Sequence, residues 1–389
     1  MKYYLLYILH CAVAAIIMSS CSPTESGEQV DHPILKVGDI TETSLSDICT
    51  SIEFIPLETN SESLIRQLVK VVPFEDKYYI FDKGLYTLSV FDKKGQFLSK
   101  IHRIGQGPGE YTMLYDFQLD EKQRVIELLD PMGRILTYDF AGNFIESTHL
   151  PSPPYGYQNF FYLNDSTYAF YSFPNHEQEC PITYVSKQNT MKNSYNDFKH
   201  TDPLVSSFAL TCYKYNDAIY LSEGISDDVY ELVDSSYVVA YEWDFGHKMN
   251  NFMHKIKSTV ENQNDIIYEY FEAFGENPAN FSRGMEFQTD RYYYTVVERG
   301  KIKIVTRDRN YRPELYNVFY EKGTEKVHYF KQTKEGLEFI VIHMEEDYCI
   351  AYLNPDCIQE VLSRGKIKNL GSLRNRTEDD NPILVRLNF

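Results

Sequence analysis

FDKKGQF (residues 91–97) returns as YDFAGNF (residues 138–144). At one constant offset Phe91 meets Tyr138, Asp92 meets Asp139, Gly95 meets Gly142 and Phe97 meets Phe144. Each copy is the end of a strand, a tight turn closed by glycine, and a returning strand. One coincidence would mean little. Four at one offset, with the same grammar, mark an internal repeat.

The grammar extends outward from these copies. KYYIFD and TLSVFD precede the first turn, joined near Lys83-Gly84, and RVIELLD and RILTYD precede the second, joined at Pro131-Met132-Gly133. Weaker copies follow around STYAFYSF, DAIYLSEGISDDVYELV, DRYYYTVVERGKIKIV and GLEFIVIHMEEDYCIAYL. The sequence thus predicts six units of about four short strands. One such unit cannot bury both of its faces alone; stacking the units radially buries them and leaves only short edges. The expected fold is all-β, a six-bladed β-propeller over residues 42–389, with the early strand SIEFIPLE completing the last blade. The Tyr residues of DRYYYT (290–295) are read as a strand buried on both faces between blades. MNNFMHKIKSTVENQNDIIYEYFEAFG breaks the pattern with apolar residues at helical spacing, so a helical insertion is expected at about 247–276, between blades four and five.

The N-terminus addresses location. Residues 1–20 have Lys2, an apolar run and a small-residue end, the pattern of a secretory signal. Met18-Ser19-Ser20 leads into Cys21 in the manner of a bacterial lipoprotein box, so Cys21 is the expected lipidation site. Residues 21–41 are polar at their start, with Pro and Gly, and are read as a flexible tether. Export implies a disulfide-permissive compartment. Five of the seven cysteines remain beyond Cys21, and Cys349 and Cys357 flank a stretch that reads as a hairpin turn, which offers one disulfide. The alternative is that they are small buried hydrophobes. No Cys/His spacing for a metal appears, and no motif indicates a cofactor.

The formal charge of −18 speaks against nucleic acid as a partner. Membrane contact is expected through the lipid anchor only. HEQEC (176–180) has Cys180 where a zinc protease needs its second histidine, and no G-x-S-x-G elbow occurs. The most signature-like run is GQGPGEY: Gly105, Gln106, Gly107, Pro108, Gly109, Glu110 and Tyr111. It precedes a strand rather than a helix, so a phosphate cradle is disfavoured. Pro108-Gly109 suits the centre of a type II turn, and Glu110 and Tyr111 could fold back onto its amides. The loop is expected as the corner between blades one and two; the alternative is a corner that also presents Glu110 to a ligand at the channel mouth.

These features together resemble the six-bladed propeller lipoproteins of Bacteroidetes, related in architecture to NHL-repeat propellers. The resemblance rests on the Cys21 box, on IPLET (55–59), on VFDKKGQFLSKIHRIGQGPGEY (90–111) and on the tail DDNPILVRLNF from Asp379. It implies an envelope protein, lipid-anchored and placed at the outer membrane, and assigns no activity. Three roles follow from the sequence. The leading one is a binding module for a glycan, a peptide or an envelope protein. The second is a propeller hydrolase or lyase acting on a carbohydrate or lactone, by fold analogy. The third is a structural envelope scaffold.

Overall fold

The computed structural model describes residues 32–150, 156–172, 182–186, 191–193, 211–222, 226–233, 236–246, 281–299, 314–367 and 370–389. The chain divides into two compact units, Met1–Pro33 and Ile34–Phe389, and the second builds the fold. The signal, Cys21 and the expected helical insertion lie outside the described residues.

Six small antiparallel sheets follow in chain order. The second unit starts with β1 (Ile34–Lys36), the one-turn helix α1 (Leu45–Ile48) and β2 (Ser51–Pro56). Blade one is β3 (Leu68–Phe74), β4 (Lys77–Asp82), β5 (Thr87–Asp92) and β6 (Phe97–Ile101). Blade two is β7 (Asp116–Asp120), β8 (Val125–Asp130), β9 (Arg134–Asp139) and β10 (Phe144–His149). Blade three is β11 (Tyr157–Asn164), β12 (Thr167–Ser172), β13 (Ile182–Ser186) and β14 (Met191–Asn193). Blade four is β15 (Thr211–Tyr215), β16 (Ala218–Ser222), β17 (Asp228–Val233) and β18 (Ser236–Asp244). Blade five is β19 (Phe281–Gln288), β20 (Tyr292–Arg299), β21 (Glu314–Glu321) and β22 (Val327–Phe330). Blade six takes β23 (Ile340–Met344), β24 (Tyr348–Leu353) and, after α2 (Ile358–Arg364), β25 (Ile383–Asn388). Its fourth strand is β2, which pairs with β25 from Ser51↔Asn388 to Pro56↔Ile383 and closes the ring. First strands touch their neighbours at four of the six joints (β7 with β11, β15 with β19, β19 with β23, β23 with β3), so they surround the axis and the fourth strands lie at the perimeter.

The two repeat copies superpose in chemistry as well as register. Gly95 and Gly142 have φ of +82° and +83°. Their amides donate to Asp92 O and Asp139 O, at 2.9 and 3.0 Å. The Asp92 carboxylate accepts from the Lys94 and Gln96 amides, and that of Asp139 from Ala141 and Asn143. Phe91 and Phe97 meet edge-on at 5.6 Å, and Tyr138 and Phe144 do so at 5.7 Å.

Strand alternation explains why blades stack. On β4, Tyr79 and Phe81 point to blade two and join Phe117, Leu128 and Tyr138. Tyr78 and Ile80 point the other way, to Ile55, Ile350 and Leu384 of blade six. Six apolar clusters of this kind fill the six joints of the ring. On β20, Tyr292 and Tyr294 face blade six while Tyr293 packs toward blade four, as expected for a strand buried on both faces. Each such ring contributes on the order of 2 kcal/mol by burial.

Two expectations are corrected. The segment read as a tether to residue 41 is structured from Ile34 onward: β1 adds in parallel to the outer edge of β18, and the Thr41 amide donates to Tyr329 O. Leu35 and Val37, 2% and 4% exposed, supply the burial that holds it there. Cys349 and Cys357 are not joined by a disulfide. They do not flank a hairpin: β24 continues to Leu353, and Cys357 ends a 3-10 turn (Pro355–Cys357) that leads into α2. Among the described residues no helix is long and apolar enough to cross a membrane.

Candidate functional site

GQGPGEY forms a corner whose polar groups bond one another. The Glu110 amide donates to Gly107 O (3.0 Å), and Gly109, at φ +70°, occupies the turn position that requires a left-handed residue. The Glu110 carboxylate accepts the Gly107 amide at 2.8 Å. A Cβ on Gly105 would lie 2.1 Å from that carboxylate, which is why the position is glycine. Tyr111 is fully buried; its hydroxyl donates to Tyr86 O (2.9 Å) and accepts from the Arg103 amide (3.2 Å). Burial pushes its phenol well above the ordinary range. Tyr138 donates to Gly109 O at 2.6 Å, and Arg134 donates to Glu110 O at 2.9 Å. Gln106 and Pro108 are exposed.

Tyr138 and Arg134 sit on β9 and Gly109 lies against Phe144 of β10, the third and fourth strands of blade two, so the loop packs over the outer half of the blade rather than at the channel mouth. The reason is positional. The chain leaves the perimeter at Ile101, and GQGPGEY comes early in the passage toward β7, before the axis is reached.

The mouth is built instead by the turns that follow the first strand of each blade. Asn216 and Asp217 form a two-residue turn with φ of +47° and +64°, and Glu75-Asp76 does the same with +47° and +60°. Among the described residues four polar bridges link these turns around the rim. Arg124 of blade two reaches Glu75 of blade one at 2.6 Å. Lys122 of blade two reaches Asp165 of blade three at 2.7 Å. The Tyr215 hydroxyl of blade four donates to Asp290 of blade five at 2.5 Å. The Asp290 amide in turn donates to Glu346 of blade six at 2.8 Å.

Concavities open at the two joints these bridges leave out. The larger, about 900 Å³, spans blades two to four and reaches across the joint between three and four. Asp120, Lys122, Asp165, Lys214 and Asp217 line it, with Leu119, Leu163 and Tyr162 beneath. Lys214 and Asp217 are 3.0 Å apart. Asp165 holds the Lys122 ammonium above its ordinary value, first by hydrogen bond and then by charge. The Tyr162 ring packs on Phe160 and Tyr168, and its hydroxyl donates to Glu127. The residues lining this concavity belong to no motif in the sequence. Their signal was positional: polar residues just after the first strand of each repeat.

Buried carboxylates elsewhere hold the frame together. Asp82 accepts four amides, from Arg66, Gln67, Gly84 and Leu85. Asp116 joins three blades, accepting Lys70 at 2.8 Å and the Phe160 amide at 3.1 Å. Glu127 accepts Tyr162 and Tyr168, and Glu286 accepts Ser222 and Tyr241.

Comparison with known proteins fits this architecture. A family model described as a domain of unknown function, DUF4934, matches residues 32–388. A crystal structure described as an exported protein of Bacteroides fragilis superposes with a TM-score of 0.69 at 18% identity, covering 91% of this chain and 98% of that one. A member of the DUF4221 family from Bacteroides vulgatus superposes with a TM-score of 0.54 at 11% identity, covering 88% and 97%. No curated protein matches the chain.

Proposed function

The chain belongs to the DUF4934 family, and on that premise we propose that it is an exported, lipid-anchored envelope propeller that binds a charged peptide segment of a partner protein at the channel mouth. The observation that carries this reading is the 900 Å³ concavity at the mouth. Its rim offers carboxylates and ammoniums side by side on rigid hairpin turns, with Lys122 and Asp165 both largely exposed. A peptide with charges of both signs can exchange these exposed pairs for its own at little desolvation cost. A glycan usually requires an open aromatic face, and the ring at this mouth, Tyr162, is already packed between Phe160 and Tyr168. Export is supported by the signal pattern of residues 1–20 and by the exported neighbour, and the anchor by Cys21.

The test is calorimetric titration of the full chain against a charged-peptide array and a glycan array, at two salt concentrations. Binding to peptides that weakens with salt and is lost in the Lys122→Glu, Lys214→Glu double variant supports the reading. Binding to glycans alone, or peptide binding indifferent to the double variant, refutes it.

A further inference from the structure

The second joint at which the described residues show no rim bridge is the seam between blades six and one, where β2 and β25 close the ring. A separate pocket of about 280 Å³ opens there. Glu53, Asp76, Lys77, Tyr78, Tyr348 and Arg386 supply its chemistry. The Arg386 guanidinium lies over the Tyr348 ring, 3.6 Å from its centre. Its Nε donates to Asn388 at 3.0 Å, and Asn388 is held in turn by a 2.9 Å bond to Ser51. The guanidinium is therefore fixed before any ligand arrives, which limits the ordering entropy lost on binding. Burial raises the Tyr78 phenol, and Arg386 beside it pulls the other way, so the two share the pocket wall.

The lining holds three charges of each sign, and an excess appears only once Arg124, just outside it, is counted. Glu75 is taken by Arg124 and Asp76 by Lys93, the latter at 3.1 Å. That leaves Lys77 and Arg386, neither of which forms an ion pair among the described residues, against Glu53. A local positive excess on a chain of formal charge −18 stands out. A guanidinium fixed in one plane is suited to a two-oxygen anion. The volume is at the small end for a ligand site and suits one sugar-sized ring. Glu53 and Asp76 can accept hydroxyl protons from it.

We propose that this seam pocket binds a single sugar acid, its carboxylate on Arg386 and Lys77 and its hydroxyls on Glu53 and Asp76. The site is distinct from the 900 Å³ concavity that spans blades two to four. Because both end blades line it, the ligand also clasps the ring closed.

The experiment is thermal unfolding and calorimetric titration of the full chain with glucuronate, glucose and inorganic sulfate. Glucuronate at a hundredfold excess over its Kd is expected to raise Tm by roughly 4 °C. Lys77→Gln, whose side chain makes no ion pair, is expected to fold as the parent and to bind glucuronate about tenfold more weakly. Arg386→Gln is expected to abolish binding. Glucose should be silent and sulfate at least about tenfold weaker than glucuronate. Glucose binding as well as glucuronate, or Lys77→Gln binding as the parent, would overturn the anion assignment. Sulfate binding as tightly as glucuronate would overturn the sugar frame, and silence of all three would overturn the site.

Discussion

Replacing Gly95 and Gly142 one at a time by alanine tests how the repeat was put to use at the seam. The two glycines occupy the same turn, with φ of +82° and +83°. The left-handed backbone costs an alanine roughly 1–2 kcal/mol, and the stiffer unfolded chain returns about 0.4–1 of it. For Gly142 nothing more is added, since the new Cβ meets only Ile101 at 3.6 Å. At Gly95 it would lie 2.4 Å from Pro56 O and 3.0 Å from Pro56 C. These are backbone atoms of the closing strand β2, and Gly95 O also accepts the Glu58 amide at 2.7 Å. Forcing them apart costs about 1–3 kcal/mol more. Unfolding entropy for a fold of about 350 residues is near 0.7 kcal/mol/K, so Gly142→Ala should lower Tm by about 1 °C and Gly95→Ala by about 3–5 °C. Urea denaturation and calorimetry measure both. Equal losses in the two variants would refute the claim that the blade-one turn abuts the closing strand.

Three other outcomes are expected. Asn381 is fully buried, accepts the Ile65 amide and donates to Glu58 O and Ser63 O; Asn381→Ala strands all three and should cost roughly 2–5 kcal/mol in urea denaturation, and a loss below about 1 would show that water replaces it. Asp139 is held below its ordinary carboxylate value of 3.8 by the Asn143 side chain and then the Asn143 amide. Its folded pKa is the lower one, so its contribution is complete above the ordinary value and fades as pH falls through the folded one. The parent should therefore lose its advantage over Asp139→Asn in acid, and a constant difference across that window would contradict the assignment. Gly109→Ala places a Cβ 2.5 Å from the Phe144 ring at φ +70°; it should lower Tm, and adding Phe144→Leu should recover part of the loss, with a coupling above about 0.5 kcal/mol.

The fold was legible because its repeat unit is written in local chemistry. Asp92 and Asp139, Gly95 and Gly142 carry the same turn, and alternation on strands such as β4 divides side chains between two neighbours. SIEFIPLE could be assigned to the last blade because a ring of such units otherwise ends in an unpaired edge. The strap from Ile34 was missed because Leu35 and Val37 are too few to signal a strand; their burial depends on Trp243 and Val229, distant in sequence. IPLET and DDNP stood out without a reason until the structure joined them through Asn381. The mouth was illegible because each blade gives it only one or two turn residues, which as sequence look like any solvated loop. GQGPGEY drew attention for its glycines, which fold geometry requires.

The pairing of residues 51–56 with 383–388 sets a timetable for biogenesis. During vectorial synthesis or export β2 emerges early, and its partner follows almost a full chain length later. Until then Ile52, Phe54 and Ile55 form an open apolar edge of the kind that recruits foreign strands. Bringing the two ends together closes a loop of about 330 residues, whose length-dependent entropy alone is about 5 kcal/mol. The hazardous interval therefore spans nearly the entire passage of the polypeptide, and a factor that shields residues 51–56 during it would protect yield without touching the folded protein.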